Sequence, residues 1–299
     1  MEAAQLLSES PALFSAIVFV LSLAIGSFLN VVIYRLPIMM DRDWRQQCAE
    51  LDGQESPALP RFNLFTPRSR CPTCGKQIWA IHNIPVFSYL VLRGRCAGCR
   101  TRISVRYPII ELLTACLSAA VAWHFGFGWT ALCGLAVTWF LIAMSAIDID
   151  TQLLPDSLTL PLCWIGLVAS AGLGRQDVGF ALPVDPVAAI AGAAAGYLSL
   201  WSVYWLFKLL TRKEGMGYGD FKLLAALGAW MGWQMMLPIV LMSAATGAIV
   251  GIALIVFRGR DRQLPIPFGP YLAAAGWIGL MWGPEITRGY FRMAGIGHA

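Results

Sequence analysis

Two short segments of this sequence carry carboxylates beside apolar runs. The first contains Asp148, Asp150 and Asp156, and the second contains Asp220. Two carboxylates that share one proton can hydrolyse a peptide bond, because the ionised one activates water while the protonated one polarises the carbonyl group. The sequence therefore predicts an aspartic-protease pair. Asp220 is one member of the pair. In the first segment the other member could be any of the three acids, although Asp150 and Asp156 also fit solvated or helix-capping positions.

The residues that other catalytic mechanisms require are scarce in this sequence. The three histidines are scattered at positions 82, 124 and 298, and neither G-x-S-x-G nor H-E-x-x-H occurs. No G-x-G-x-x-G follows a strand-like run, which argues against a dinucleotide-binding domain. The carboxylates at membrane edges are therefore the remaining candidates for catalysis. Acids in such positions are energetically unfavourable and are usually functional.

Glycines precede Asp220 in the order Gly217-Tyr218-Gly219-Asp220. A glycine lets a substrate backbone approach closely and lets a loop adopt positive φ. We expect Gly217 and Gly219 to shape this loop or contact substrate. Glu111, three residues after Pro108, is a further candidate: a helix-dipole partner, a substrate contact or a residue of a second activity.

Four cysteines have the spacing of a metal site. They form two C-x-x-C pairs, Cys71 with Cys74 and Cys96 with Cys99. Four thiolates from two tight turns complete a tetrahedral structural site, for which zinc is the leading metal and iron the alternative. Disulfides and unused thiols are the other possibilities, and a cytoplasmic location argues against disulfides. The remaining cysteines, at positions 48, 116, 133 and 163, lack metal spacing, and apolar packing suits them.

These segments must be positioned by membrane helices. Hydrophobic residues make up 58% of the 299 residues and charged residues only 13%, which excludes an ordinary soluble domain. The fold class predicted is an all-α membrane protein of about eight spans with a four-cysteine loop. The spans cover residues 11–34, 108–127, 129–147, 157–173, 187–210, 221–234, 235–257 and 269–283.

Basic residues orient these spans. With an external N-terminus, 19 of the 22 Lys and Arg residues fall on the cytoplasmic side, so both termini face the periplasm. The net charge of +5 therefore indicates topology and not nucleic-acid binding. The predicted division is a first helix (1–34), a cytoplasmic loop (35–107) and a membrane core (108–299). Within the loop, residues 41–60 are polar enough to be flexible.

Further motifs complete a pattern. They are Gly26–Pro37, the two C-x-x-C pairs, Arg106–Glu111, Asp148 with Leu154-Pro155, Gly217–Lys222 and Pro265–Pro270. In this order the motifs resemble those of the type IV prepilin peptidases, also called leader peptidase/N-methyltransferases. The resemblance extends over nearly the whole chain, and no motif residue is missing.

The resemblance implies a function and selects the first aspartate. By comparison with the family, Asp148 and Asp220 are the catalytic pair. The substrates implied are type IV prepilins and type II secretion pseudopilins, cut after a glycine at the cytoplasmic face of the bacterial inner membrane. The new N-terminal residue is then methylated with S-adenosylmethionine. Surrounding membrane lipid is the other expected partner, and the small-residue run 188–196 offers a surface where a substrate helix can approach closely.

Three alternatives compete with this hypothesis. A presenilin-like protease also uses G-x-G-D, but its Tyr-Asp motif is absent and it lacks a four-cysteine loop. A transporter would carry its acids deep in the bilayer, whereas Asp148 and Asp220 map to one membrane edge. A secretion-assembly protein would need neither aspartate.

Overall fold

The computed structural model describes residues 2–53, 60–79, 84–173, 182, 184–213, 215–258 and 266–293, and these are almost entirely helical. The helices are α1 (Glu2–Glu9), α2 (Pro11–Leu51), α3 (Phe87–Val91), α4 (Arg106–Phe125), α5 (Trp129–Thr151), α6 (Asp156–Leu173), α7 (Pro186–Thr211), α8 (Tyr218–Met231), α9 (Met236–Arg258) and α10 (Gly269–Met293). The chain divides into two compact units, residues 1–126 and 127–299. We call them unit 1 and unit 2.

The predicted class of all-helical membrane protein is confirmed. Five helical segments of the described chain are long and apolar enough to cross a bilayer: 11–51, 106–125, 129–151, 186–211 and 233–257. A helix also lies at each of the eight predicted spans, although the number eight stays a prediction. The division predicted for residues 1–34, 35–107 and 108–299 likewise stays a prediction.

Unit 1 is built on a long antiparallel pair of helices. At their contact, Gly26 of α2 leaves room for the backbone of α4, since a Cβ there would lie 2.7 Å from the Cα of Glu111. Asn30 donates to the carbonyl of Tyr107 at 3.1 Å in the same contact. The prediction of a flexible loop from residue 41 is wrong for residues 41–51, which continue α2; residues 54–59 lie outside the described residues. Backbone i→i−4 hydrogen bonding does not depend on apolar side chains, so the helix can continue through polar residues beyond its apolar part.

Unit 2 encloses a short helix. Every residue of α8 from Asp220 to Met231 is buried except Lys222, and α6, α7 and α10 pack against it. Fourteen residues of α-helix extend about 21 Å, which is shorter than a hydrocarbon core. An enclosed helix must be uniformly apolar or small on its surface, and residues 223–231 satisfy this requirement.

A glycine on each of the three surrounding helices allows that helix to pack closely against α8. On α6, a Cβ at Gly166 would lie 2.9 Å from the indole nitrogen of Trp230, which donates to the carbonyl of Leu162. On α10, a Cβ at Gly276 would lie 2.7 Å from the methyl groups of Leu227. On α7, the backbones themselves touch, because Gly192 faces the carbonyl of Gly228.

The α7 contact corrects one sequence hypothesis. The small residues of 188–196 were proposed as a surface for a substrate helix. In the structure that surface is occupied by α8, since a Cβ at Gly196 would lie 2.6 Å from the carbonyl oxygen of Leu224. The small-residue pattern indicated close helix packing correctly, but it could not identify the partner.

The ends of two predicted spans have clear local causes. The α8 segment stops at Gly232, whose φ of +78° suits glycine, and a 3₁₀ turn at Trp233–Met235 leads into α9. Helix α10 loses helical geometry at Trp282, two residues before Pro284, close to the predicted span end at residue 283.

We predict that Gly228→Ala destabilises the protein. The new methyl group collides with backbone atoms of Gly192, which no side-chain rotation can relieve. The expected cost is about 1–3 kcal/mol, seen as a fall of several degrees in the thermal unfolding midpoint in detergent. Gly172→Ala is the control, since nothing lies within 4 Å of its Cβ position. Equal midpoints for the two variants would contradict the close contact.

Candidate active site and metal centre

Asp148 occupies a buried position in the last turn of α5, with 5% of its surface exposed. Its Oδ2 accepts a hydrogen bond of 2.9 Å from the backbone N–H of Gly269, the first residue of α10. Helix N-termini carry unpaired N–H groups and partial positive charge, both of which stabilise a carboxylate. A Cβ at Gly269 would lie 2.7 Å from the same oxygen, so any other residue would require the carboxylate to shift.

Asp220 lies in the first turn of α8 and is also buried, at 7% exposed. Its backbone N–H donates to the carbonyl of Gly217 at 3.2 Å, which closes the turn that starts the helix. Its carboxylate interacts electrostatically with that of Asp148. The structure thus brings together two of the sequence-predicted acids, one at the end of α5 and one at the start of α8.

Asp150 is separated from this pair by helix geometry. Two residues along an α-helix correspond to about 200° of rotation, so Asp150 projects to the opposite side of α5. It is exposed where Asp148 is buried. The burial pattern therefore separates the two acids that local sequence chemistry left as alternatives.

The two glycines before Asp220 differ in their surroundings. Neither has a positive φ, so that expectation was wrong. Gly219 instead leaves room for Leu154, whose Cβ lies 2.6 Å from where a Cβ on the glycine would stand. At Gly217 the nearest atom to a Cβ would be the Oδ2 of Asp220, at 3.9 Å. Loop shaping by Gly219 is thus a matter of packing, and substrate contact at Gly217 stays a prediction.

Leu154 also lies close to Gly269, the residue that binds Asp148. Its Cδ1 lies 3.3 Å from the Cβ position of Gly269, whose N–H binds Asp148. One leucine in the α5–α6 connection therefore fills space beside both glycines, and each of those glycines adjoins one acid. Sequence reasoning used Leu154 only as a motif marker, because nothing local indicates contacts across more than 60 residues.

An ion pair beside the carboxylates was missed from the sequence. The Nζ of Lys222 lies 2.6 Å and 2.7 Å from the two carboxylate oxygens of Asp156. The pair joins the first residue of α6 to the beginning of the second turn of α8, with the lysine side chain 28% exposed. Asp156 was interpreted as a solvated or capping acid, since its partner lies 66 residues away.

Glu111 belongs to unit 1, and its contacts favour a role in loop shaping. Its buried carboxylate accepts a hydrogen bond of 2.8 Å from the backbone N–H of Val86 and bonds Ser27. Val86 has φ of +58°, an uncommon conformation for a β-branched residue. The carboxylate of Glu111 thus stabilises the turn that leads into α3.

The four predicted metal ligands meet in unit 1. The sulfur atoms of Cys71, Cys74, Cys96 and Cys99 all lie within 4.8 Å of one another. A tetrahedral ion with bonds of about 2.3 Å places its sulfurs about 3.8 Å apart. The Cys71 and Cys99 sulfurs are separated by 3.8 Å, and all four cysteines are free of disulfides.

The two C-x-x-C turns repeat one backbone design. Cys71 N–H donates to Lys76 O, and Cys96 N–H donates to Thr101 O, each at 2.9 Å. The residue after the second cysteine of each pair has positive φ, at Gly75 and at Arg100. Hydrogen bonds from Thr101 lower the pKa of the Cys99 thiol to about 6, whereas desolvation and the neighbouring sulfurs raise the pKa of Cys74 to about 11. Cys99 therefore forms the thiolate that a metal requires more readily than Cys74 does. We call residues 60–105 the cysteine module.

Comparison with known proteins decides the family. A model of the bacterial peptidase A24 N-terminal domain matches residues 20–125, and one of the type IV leader peptidase family matches residues 135–252. Three similar proteins are each named prepilin leader peptidase/N-methyltransferase. That of Stutzerimonas stutzeri is 53% identical over 97% of this chain and 98% of its own length. The chain belongs to the type IV leader peptidase family. The relative from Pseudomonas aeruginosa is 52% identical over the same shares. That of Aeromonas hydrophila is 55% identical over 94% of each chain.

Membership of the type IV leader peptidase family confirms that the protein is an enzyme, and it does not favour the transporter or assembly-protein alternatives. The first match ends at residue 125 and the second begins at residue 135, and the structure separates unit 1 from unit 2 within that interval, after Gly126. No solved structure matches the chain.

We predict that Lys222→Met lowers kcat for cleavage about two- to five-fold, with little change in KM. A partly exposed ion pair is worth up to about 1 kcal/mol, and its loss loosens the start of α6 beside Leu154. The double variant Asp156→Lys with Lys222→Asp restores the pair with reversed charges and should recover part of the rate. Arg288→Met, which removes another ion pair of unit 2, is the matched control. A swap no faster than the single variant argues against positioning by this pair.

We also predict about one metal ion per chain, held by the four clustered thiolates. Cys99→Ser removes one ligand and should abolish most of the bound metal in the purified protein, measured by elemental analysis. Cys48→Ser is the control, because this exposed cysteine lies on α2 outside the cluster. Wild-type protein without metal, or equal metal content in the two variants, would contradict the assignment of these cysteines as metal ligands.

Proposed function

We propose that this enzyme is a membrane aspartic endopeptidase that removes the leader peptides of type IV prepilins and type II secretion pseudopilins. It then methylates the new N-terminal residue, with S-adenosylmethionine as the methyl donor. Names of relatives at 52–55% identity over nearly the whole chain support both activities. The observation that carries the peptidase half is the buried pair of carboxylates, Asp148 and Asp220, whose charges interact.

The surroundings of the two acids suggest distinct roles. Asp148 receives the N–H of Gly269 at a helix N-terminus, which favours its ionised form. We assign it as the base that takes a proton from the attacking water. Asp220, buried next to that charge, then holds the shared proton and donates it to the carbonyl oxygen. When the tetrahedral intermediate collapses, the proton on Asp148 passes to the leaving amine. A hydroxyl proton of the intermediate returns to Asp220 as the carbonyl reforms, which restores the pair with one shared proton.

The position of the pair suits a substrate that is half in lipid. Asp148 ends one helix and Asp220 begins another, so both lie where chain enters or leaves the membrane core. A precursor with an apolar helix and a polar leader presents its junction at that level. We place the site at the cytoplasmic face of the inner membrane, with both termini periplasmic, because of the distribution of basic residues.

The cysteine cluster suits structural zinc. Four thiolates fill a tetrahedral ion completely and leave no position for a water nucleophile. The residues that would hold the ion are Cys71, Cys74, Cys96 and Cys99, and its contribution is to stabilise the fold of the cysteine module. No catalytic step of the peptidase passes through this site.

The decisive test uses purified protein with a prepilin substrate, analysed by mass spectrometry. Asp148→Asn and Asp220→Asn each keep the shape of the side chain but remove an acid–base group. Cleavage should fall by about 10²–10⁴-fold in each. A methyl-sized mass gain on the new N-terminus should appear only when S-adenosylmethionine is present.

Asp150→Asn is the control, because it removes an exposed acid only two residues from Asp148. It should cleave at close to the wild-type rate. Thermal unfolding and elution volume must match wild type in all three variants. If a well-folded Asp148→Asn or Asp220→Asn enzyme cleaves normally, that residue is not part of the pair.

A further inference from the structure

The cysteine module has a one-sided charge. Residues 56–110 contain nine Lys and Arg residues and not a single Asp or Glu. Basic residues alone would follow from membrane topology, but acidic residues contribute little to topology and need not be excluded for that reason. A complete absence of acids instead suits a surface that faces negative charge. Even four thiolates around a divalent ion would leave this region strongly positive.

The basic side chains are available at the surface. Eight of them are exposed: Arg61, Arg68, Arg70, Lys76, Arg93, Arg95, Arg100 and Arg102. Because they lie in and around both C-x-x-C turns, they give the module a broadly cationic surface. Such a surface is attracted to anionic headgroups, and each basic residue near the membrane contributes about a five-fold factor in binding.

The module also exposes apolar side chains beside these charges. In α3, Phe87, Leu90 and Val91 are 61–66% exposed and are spaced i, i+3, i+4, so they share one face of the helix. The opposite side carries Ser88, which is buried. A helix whose apolar face points outward needs a cover. Phe65, at 80% exposed, adds to the same kind of surface.

Two contacts within unit 1 attach this surface to the ends of the apolar helical stretches. Arg35 is the first charged residue after the 24-residue uncharged stretch 11–34, which is long enough to cross the hydrocarbon core. Its guanidinium donates to the carbonyl oxygens of Asn63 at 2.8 Å and Pro67 at 2.6 Å. On the other helix, Glu111 in the second turn of α4 binds the N–H of Val86, immediately before α3.

We propose that the cysteine module lies on the membrane surface and binds anionic phospholipid headgroups through its basic face, while Phe65 and the exposed face of α3 enter the interface. Three independent observations support this occupant: the all-positive charge, the outward apolar face, and the attachment of both flanking segments where the apolar spans end. The combination of basic and apolar groups at one level is typical of interfacial binding. The inference rests on unit 1 and not on the proposed carboxylate chemistry.

Hydrogen–deuterium exchange of the full-length protein in nanodiscs tests the proposal. Discs of phosphatidylcholine alone are compared with discs that also contain phosphatidylglycerol. We expect the amides of α3 and of residues 63–67 to exchange about ten-fold more slowly or more in the anionic discs, and high salt to remove the difference. Equal exchange in the two lipids would overturn the proposal. Protection that does not change with lipid or salt would also overturn it, because it would mean that another part of the chain covers α3 and residues 63–67.

Charge variants sharpen the test. The triple variant Arg68→Gln, Arg95→Gln, Arg102→Gln should weaken docking on anionic discs by about 100-fold. The control removes three basic residues elsewhere, with Arg45→Gln, Lys213→Gln and Arg288→Gln. Unchanged metal content verifies that the module still folds. If both triple variants lose protection equally, general charge and not this surface governs the interaction, and the proposal fails.

Discussion

The position of Asp220 depends on the enclosure of α8. A helix surrounded by three others has no free face, so every turn must match a neighbour at close range. Glycines on α6, α7 and α10 provide that match at Gly166, Gly192 and Gly276. Because interiors are densely packed, the helix can neither slide nor rotate without creating collisions or cavities. An acid in its first turn is therefore held in place by contacts farther along the same helix.

A second constraint is the different electrostatic surroundings of the two acids. The charge of Asp148 faces an N–H group at the start of α10, whereas Asp220 begins α8 and faces the charge of Asp148. Inside a low-dielectric region such differences have large effects on where a proton resides. The same backbone that builds the helices thus helps to make two chemically identical side chains unequal.

Much of this arrangement was accessible from the sequence because it is local. Long apolar runs identified the helical membrane architecture, and C-x-x-C spacing identified four sulfurs that do converge. Asp148 and Asp220 are both buried, and their carboxylates interact electrostatically. What the sequence did not indicate were contacts between distant segments, such as Lys222 with Asp156, or Leu154 between two glycines. A glycine pattern indicates that something comes close, and only the fold identifies what does. The positive φ expected at Gly217 and Gly219 is not observed, and at Gly219 the glycine instead leaves room for Leu154.

The hydrogen bond from Gly269 to Asp148 also determines when the site is assembled during synthesis of the chain. The chain is synthesised from its N-terminus, and Gly269 opens the last helix of 299 residues. While α5 to α9 are already inserted, the buried carboxylate of Asp148 still lacks its backbone donor. The site is therefore completed only when α10 inserts. A nascent chain that stops before α10 carries both acids without the arrangement that makes them unequal, so biosynthesis itself delays the assembly of the pair until α10 has been made.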